Sequence, residues 1–146
     1  MSRCRGCRSA SVLGKAVLRA AERLGLTART LGTVVGISEP TVSRLKRGEF
    51  TLERGTKPFE LALLFVRLYR SLDAIVGGDE SVAKAWLHNE NTVLGGKPIE
   101  KIQTVPGLVD AIAYLDARRA IGASLPNPRS RVRPLHYRLA ARGRAP

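Results

Sequence analysis

The chain has 146 residues, enough for one domain or two small ones, and its 44% hydrophobic and 25% charged content excludes wholesale disorder. The longest apolar run, Leu61 to Val66, is far too short to span a membrane, and Lys15 interrupts the one stretch that could serve as a signal-peptide core. Two cysteines cannot staple a fold of this size, so a cytoplasmic protein is expected, and 25 Lys and Arg against 12 Asp and Glu, net +13, point to a polyanionic partner.

The charge is unevenly spread. Residues 1–10 carry Arg3, Arg5 and Arg8 without an acid and show no periodicity, which predicts a disordered basic arm. Residues 11–58 are basic and residues 59–120 nearly neutral, a division between a polyanion-binding module and a second module of another kind. From Val12 the pattern is helical: Leu13, Ala16, Val17, Ala20, Ala21 and Leu24 recur at three- and four-residue spacings, with Ser11 as N-cap and Gly25 as stop. Thr27 caps a second helix over 28–35 with Leu31, Val34 and Val35 facing inward, and Gly36 ends it. Ser38 caps a third, with Pro40 in its first turn, where a missing N–H costs nothing; Val42 and Leu45 face inward and Gly48 follows.

After a loop, a long helix is predicted over 58–76, striped by Leu61, Leu64, Phe65, Leu68, Leu72 and Ile75, and broken at Gly77-Gly78. Asp79 or Ser81 starts the next, containing Ala85, Trp86 and Leu87. Residues 89–98 are a turn region, where Asn89, Glu90 and Asn91 either cap the next turn or face a partner. A brief helix over 99–102 leads to Thr104, which caps a last helix in which Val109, Ile112, Ala113 and Leu115 repeat helically to about Arg119. Nothing alternates at period two, so the fold expected is all-α. Residues 122–146 hold Pro126, Pro128 and Pro134 and six arginines with no acid, and read as a disordered tail.

The second and third helices are joined by a short turn containing Gly36, as a helix-turn-helix requires. Leu31, Val35, Ile37, Val42 and Leu45 fill its inward positions, Gly32 allows close approach, and Gly36 can take the positive φ of the turn. On the third helix Ser38, Glu39, Thr41, Ser43, Arg44 and Arg47 face out. Such a helix enters the major groove N-terminus first. Arg44 suits a bidentate contact to guanine, while Ser43, Thr41 and Glu39 can reach other base edges. Arg29, Lys46 and Arg47 are placed for phosphates, which orient without reading sequence.

From Leu13 to Arg119 the sequence resembles the Xre-type antitoxins of RES–Xre toxin–antitoxin pairs, the MbcA/ParS/Xre family. The run from Gly36 to Leu45 is similar to the family's helix-turn-helix. The run from Phe65 to Gly78, then Ala85-Trp86-Leu87, Leu94-Gly95-Gly96 with Pro98, and Gly107-Leu108-Val109 leading into Tyr114-Leu115-Asp116, resembles its C-terminal toxin-binding domain. The resemblance implies a helix-turn-helix domain over 11–58 and a toxin-binding domain over 59–121. It implies a homodimer that represses its own operon and occludes a RES-domain, NAD-destroying toxin from an adjacent gene. It also places the end of the last helix at the toxin's active-site mouth, which makes Tyr114, Asp116, Arg118 and Arg119 the candidate toxin contacts. Members usually end soon after that helix, so the tail departs from the pattern. The other reading is a stand-alone helix-turn-helix regulator with a helical dimerisation domain.

Other signals point to no chemistry. Cys4 and Cys7 lack a second pair for a metal site, His88 and His136 lie far apart, and Gly95-Gly96 lacks a phosphate-loop lysine. No cofactor, metal or catalytic set is expected, and the chain is not read as an enzyme.

Overall fold

A computed structural model describes residues 5–122, with side-chain surroundings from Arg8 onward. Seven helices follow in order: α1 (Arg5–Leu24), α2 (Ala28–Val35), α3 (Glu39–Lys46), α4 (Lys57–Val76), α5 (Glu80–His88), α6 (Pro98–Lys101) and α7 (Val105–Ala120). Among the described residues there is no strand, only an isolated bridge between Asn91 and Gly96 that closes the turn before α6. The all-α expectation stands.

The helix ends follow from local chemistry. Thr27 Oγ1 accepts the Thr30 amide at 3.2 Å, and Thr104 Oγ1 accepts the Gly107 amide at 3.2 Å. Asp79 Oδ1 takes the amides of Ser81 and Val82, so Asp79 rather than Ser81 is the α5 cap. Each satisfies an amide that the first helical turn leaves unpaired. Asn91 is buried, and its Oδ1 accepts the Val93 and Leu94 amides. Of its two expected roles, the turn cap is the one this geometry fills.

Three expectations are corrected. The first helix begins at Arg5, not after Ser11, so part of the expected basic arm is helical and Ser11 is an exposed interior residue. The reason is packing: Ala10 is buried and extends the stripe of Leu13, Val17, Ala20 and Leu24 back by a turn. In α7 the helical repeat is split: Ile112 and Leu115 are buried together with Gly107, Leu108 and Ala111, whereas Val109 and Ala113 are exposed. That helix is apolar nearly all round, so spacing alone could not choose the face. In α4 the stripe is centred on Phe59, Ala62, Phe65, Val66, Leu68 and Leu72, with Leu61, Leu64 and Ile75 at its half-buried edges. The tail from 123, and the side chains of Cys4 and Cys7, lie outside the described residues.

One core runs through the described chain, from Leu13 in α1 to Leu115 in α7. Helix α4 is its axis: it packs on α1, α2, α5 and, most extensively, α7. The boundary expected at 58/59 therefore falls in the first turn of a helix that both halves share.

Candidate DNA-reading and partner-binding surfaces

Steric fit at the turn builds the helix-turn-helix. A Cβ on Gly32 would lie 2.6 Å from the Ile37 carbonyl oxygen, so only glycine lets the chain fold back there. Gly36 takes φ +79°, a left-handed conformation that glycine adopts without steric penalty, and its N–H closes onto the Gly32 carbonyl. Ser38 Oγ then caps α3 by accepting the Thr41 amide at 3.3 Å, and lies 2.7 Å from Thr41 Oγ1. Buried Val42 and Leu45, each contributing roughly 1.5–3 kcal/mol, fix the rotation of α3.

That rotation leaves Glu39, Arg44 and Arg47 exposed and Ser43 half-buried. Arg44 makes no ion pair among the described residues. Arg47 reaches Glu49 at 3.2 Å, an exposed pair of little energetic weight that a phosphate can displace. Arg29 is exposed in the first turn of α2, beside that helix's N-terminal amides. Lys46 stands apart, because it lines grooves with Leu18 of α1 rather than the Arg44 face. The Ser38 and Thr41 hydroxyls are engaged with each other at the cap.

The four residues expected to meet a toxin are divided between two sides of α7. Tyr114 stacks on Trp86, centroids 6.2 Å apart and planes 17° from parallel, and the Arg118 guanidinium lies 5.0 Å from the Tyr114 ring centroid. Trp86 Nε1 and Tyr114 Oη are buried without a hydrogen-bond partner among the described residues. On the other side, Asp116 Oδ1 accepts the hydroxyl of buried Ser71 at 2.7 Å, and Oδ2 accepts Arg67 Nη2 at 2.6 Å. The Ser71 bond, helped by Arg67 and Arg119, holds the Asp116 carboxyl below its ordinary pKa against the opposing effect of burial. Both its oxygens are thus committed to tying α7 to α4. Arg119 shares its side with Arg67 and Arg70.

Sequence reasoning missed Arg67 and Ser71, whose pairing with Asp116 spans more than forty residues. It also missed Val105, Val109 and Ile121, exposed along α7 and at its end. A four-residue recurrence of apolar residues was visible there, but burial and exposure give the same signal. Among the described residues no three His, Cys, Asp or Glu side chains gather where a metal could be held, and no helix is long and apolar enough to cross a membrane.

Residues 8–67 match the family model of the antitoxin Xre-like helix-turn-helix domain. Residues 71–120 match that of the antitoxin Xre/MbcA/ParS C-terminal toxin-binding domain. No curated relative matches the chain. The two matches meet inside α4, the helix on which both halves pack. With a glycine-fitted turn and an outward Arg44 in the first match, and the α4–α7 pairing in the second, the chain belongs to the Xre-type antitoxin family, joining a DNA-binding helix-turn-helix to a toxin-binding domain.

Proposed function

We propose that this antitoxin occludes a RES-domain toxin that degrades NAD, and that as a homodimer it represses the operon encoding both. The observation that carries the proposal is the union, on one shared helix, of a helix-turn-helix and a toxin-binding domain. Such a protein couples repression to neutralisation, because toxin and operator engage a single folded unit.

DNA reading is assigned to α3, with Arg44 on guanine, and Ser43, Thr41 and Glu39 at neighbouring base edges. Arg29, Arg47 and, more peripherally, Lys46 meet phosphates, while Ser38 serves mainly as the cap. One such helix reads only a few base pairs, so useful affinity calls for two copies on half-sites roughly 34 Å apart.

Toxin contact is assigned to the C-terminal end of α7. Arg118 and Arg119 suit the carboxylates or phosphate-binding groups of an NAD site; Tyr114 supplies a platform beneath Arg118, and Asp116 positions the helix. The test is co-expression of the full chain with the product of the neighbouring gene. Co-purification, restored growth and preserved cellular NAD are the expected results. Arg118→Glu with Arg119→Glu should abolish rescue while leaving the helical circular dichroism intact. Rescue by the double variant at full strength would overturn the contact assignment. Absence of both co-purification and rescue would leave the stand-alone regulator.

A further inference from the structure

Between α1, α4 and α7 the surface opens into a groove of about 820 Å³ that the α3 face does not touch. Its floor is apolar and exposed: Val12 is 61% and Leu63 49% accessible, beside Ala16 and Val66. Single exposed apolar residues are ordinary, but two large ones converging in one concavity mark a contact surface. Its rim is cationic. Arg8, Arg70 and Arg119 form no ion pair among the described residues, while Arg67 is already held by Asp116.

We propose that this groove docks an acidic amphipathic helix from another protein, one carrying apolar side chains at i, i+3/i+4 and i+7 with carboxylates on either flank. The apolar ridge would cover Val12 and Leu63, the helix-in-groove mode of peptide recognition, and the flanking acids would meet Arg8, Arg70 and Arg119. Charge selects among occupants. Residues 123–146 of this chain hold six arginines and no acid, and a second copy docked groove to groove would oppose like cations, so both are disfavoured. A flat anionic surface does not reach a concave floor. Arg119 is also assigned to toxin contact; without it the docking rests on Val12, Leu63, Arg8 and Arg70, whichever toxin the antitoxin neutralises.

The experiment uses the full chain, in the presence of excess unlabelled duplex DNA to occupy the α3 face. Fluorescence anisotropy follows a labelled synthetic helix of roughly 18 residues, about five turns, with leucines on one face and glutamates flanking them. It should bind about tenfold or more tighter than the same peptide with alanine for leucine. Val12→Ser with Leu63→Ser, both at exposed positions, should weaken binding by about tenfold, and Arg70→Glu by a similar factor that shrinks with added salt. Equal binding of the leucine-free peptide, or wild-type binding by the Val12/Leu63 variant, overturns the proposal. So does a gain in binding on removing residues 123–146, which would make the tail the occupant. A dimer that dissociates on Leu63→Ser would assign the face to a second copy, and displacement of the peptide by phosphatidylglycerol vesicles would assign it to a membrane; either overturns the proposal.

Discussion

Arg44 and Asp116 are both charged helix residues, yet their surroundings give them opposite duties. Arg44 is exposed on a helix whose rotation is fixed by Val42 and Leu45, with no acid paired to it among the described residues. Arg44→Ala should therefore cost about 1–3 kcal/mol of operator binding and relax one position of the site, measured by competition between operator and random duplexes. Equal weakening on both would reassign Arg44 to a phosphate. Asp116 is turned inward, its carboxylate shared by Ser71 and Arg67. Its pKa is lowered in the fold, chiefly by the Ser71 hydroxyl, so the unfolded chain binds the proton more readily. The stabilisation is thus fully present above the ordinary carboxylate pKa of about 4 and is lost as pH falls through the folded value. Thermal melts from neutral pH down to acid should show that loss, and Asp116→Asn should start less stable and lose less on acidification. An unchanged acid profile would mean that the Asp116 contacts contribute nothing to holding α7 on α4.

At the scale of elements, glycine decides whether α2 and α3 can meet. Gly32 is held against the Ile37 carbonyl oxygen, and any Cβ must push the turn outward. Gly32→Ala should destabilise the chain by roughly 1–3 kcal/mol, as overpacking does, and should weaken operator binding beyond that loss because α3 rotates with the turn. A calorimetric midpoint near the wild type together with unchanged DNA affinity would refute the close-approach argument. This motif was legible in the sequence because its determinants are local: Thr27, Ser38, Gly32 and Gly36 act within a few residues of themselves. The end of α7 was less legible. Its candidates follow from a resemblance that points only to the end of the helix, whereas their division between the Trp86 stack and the Arg67–Ser71 clamp depends on partners far away in the chain. Helix α1 shows the same limit at its start. Buried Ala10 carries the apolar stripe back past Ser11, so the cap-like serine lies inside the helix and nothing local to it reveals this.

For the molecule as a whole, the shared α4 changes what truncation can show. Residues 59–121 carry the toxin-binding match, but removing α1 and α2 would strip one face of α4 and expose its share of the common core. The full chain should unfold in one calorimetric transition, and the 59–121 fragment should lack a cooperative one; two separated transitions would restore independent halves. Charge, unlike the core, can be removed from one end cleanly. Residues 123–146 contribute six arginines without an acid, so they can neutralise phosphates, while the described contacts that orient α3 come from Val42, Leu45 and the Gly32–Ser38 turn. Each arginine that engages a phosphate steepens the dependence of log affinity on log salt by about 0.9, through counterion release, equally on every sequence. A chain ending at Gly122 should therefore bind all duplexes more weakly at low salt and show a shallower salt slope. Its ratio of operator to random affinity should be unchanged under the proposal that α3 reads the bases. Titrations of both duplexes across a salt series decide the matter: a slope equal to that of the full chain would place the tail off the DNA, and loss of the ratio would place sequence reading in the tail instead of in Arg44 and its neighbours.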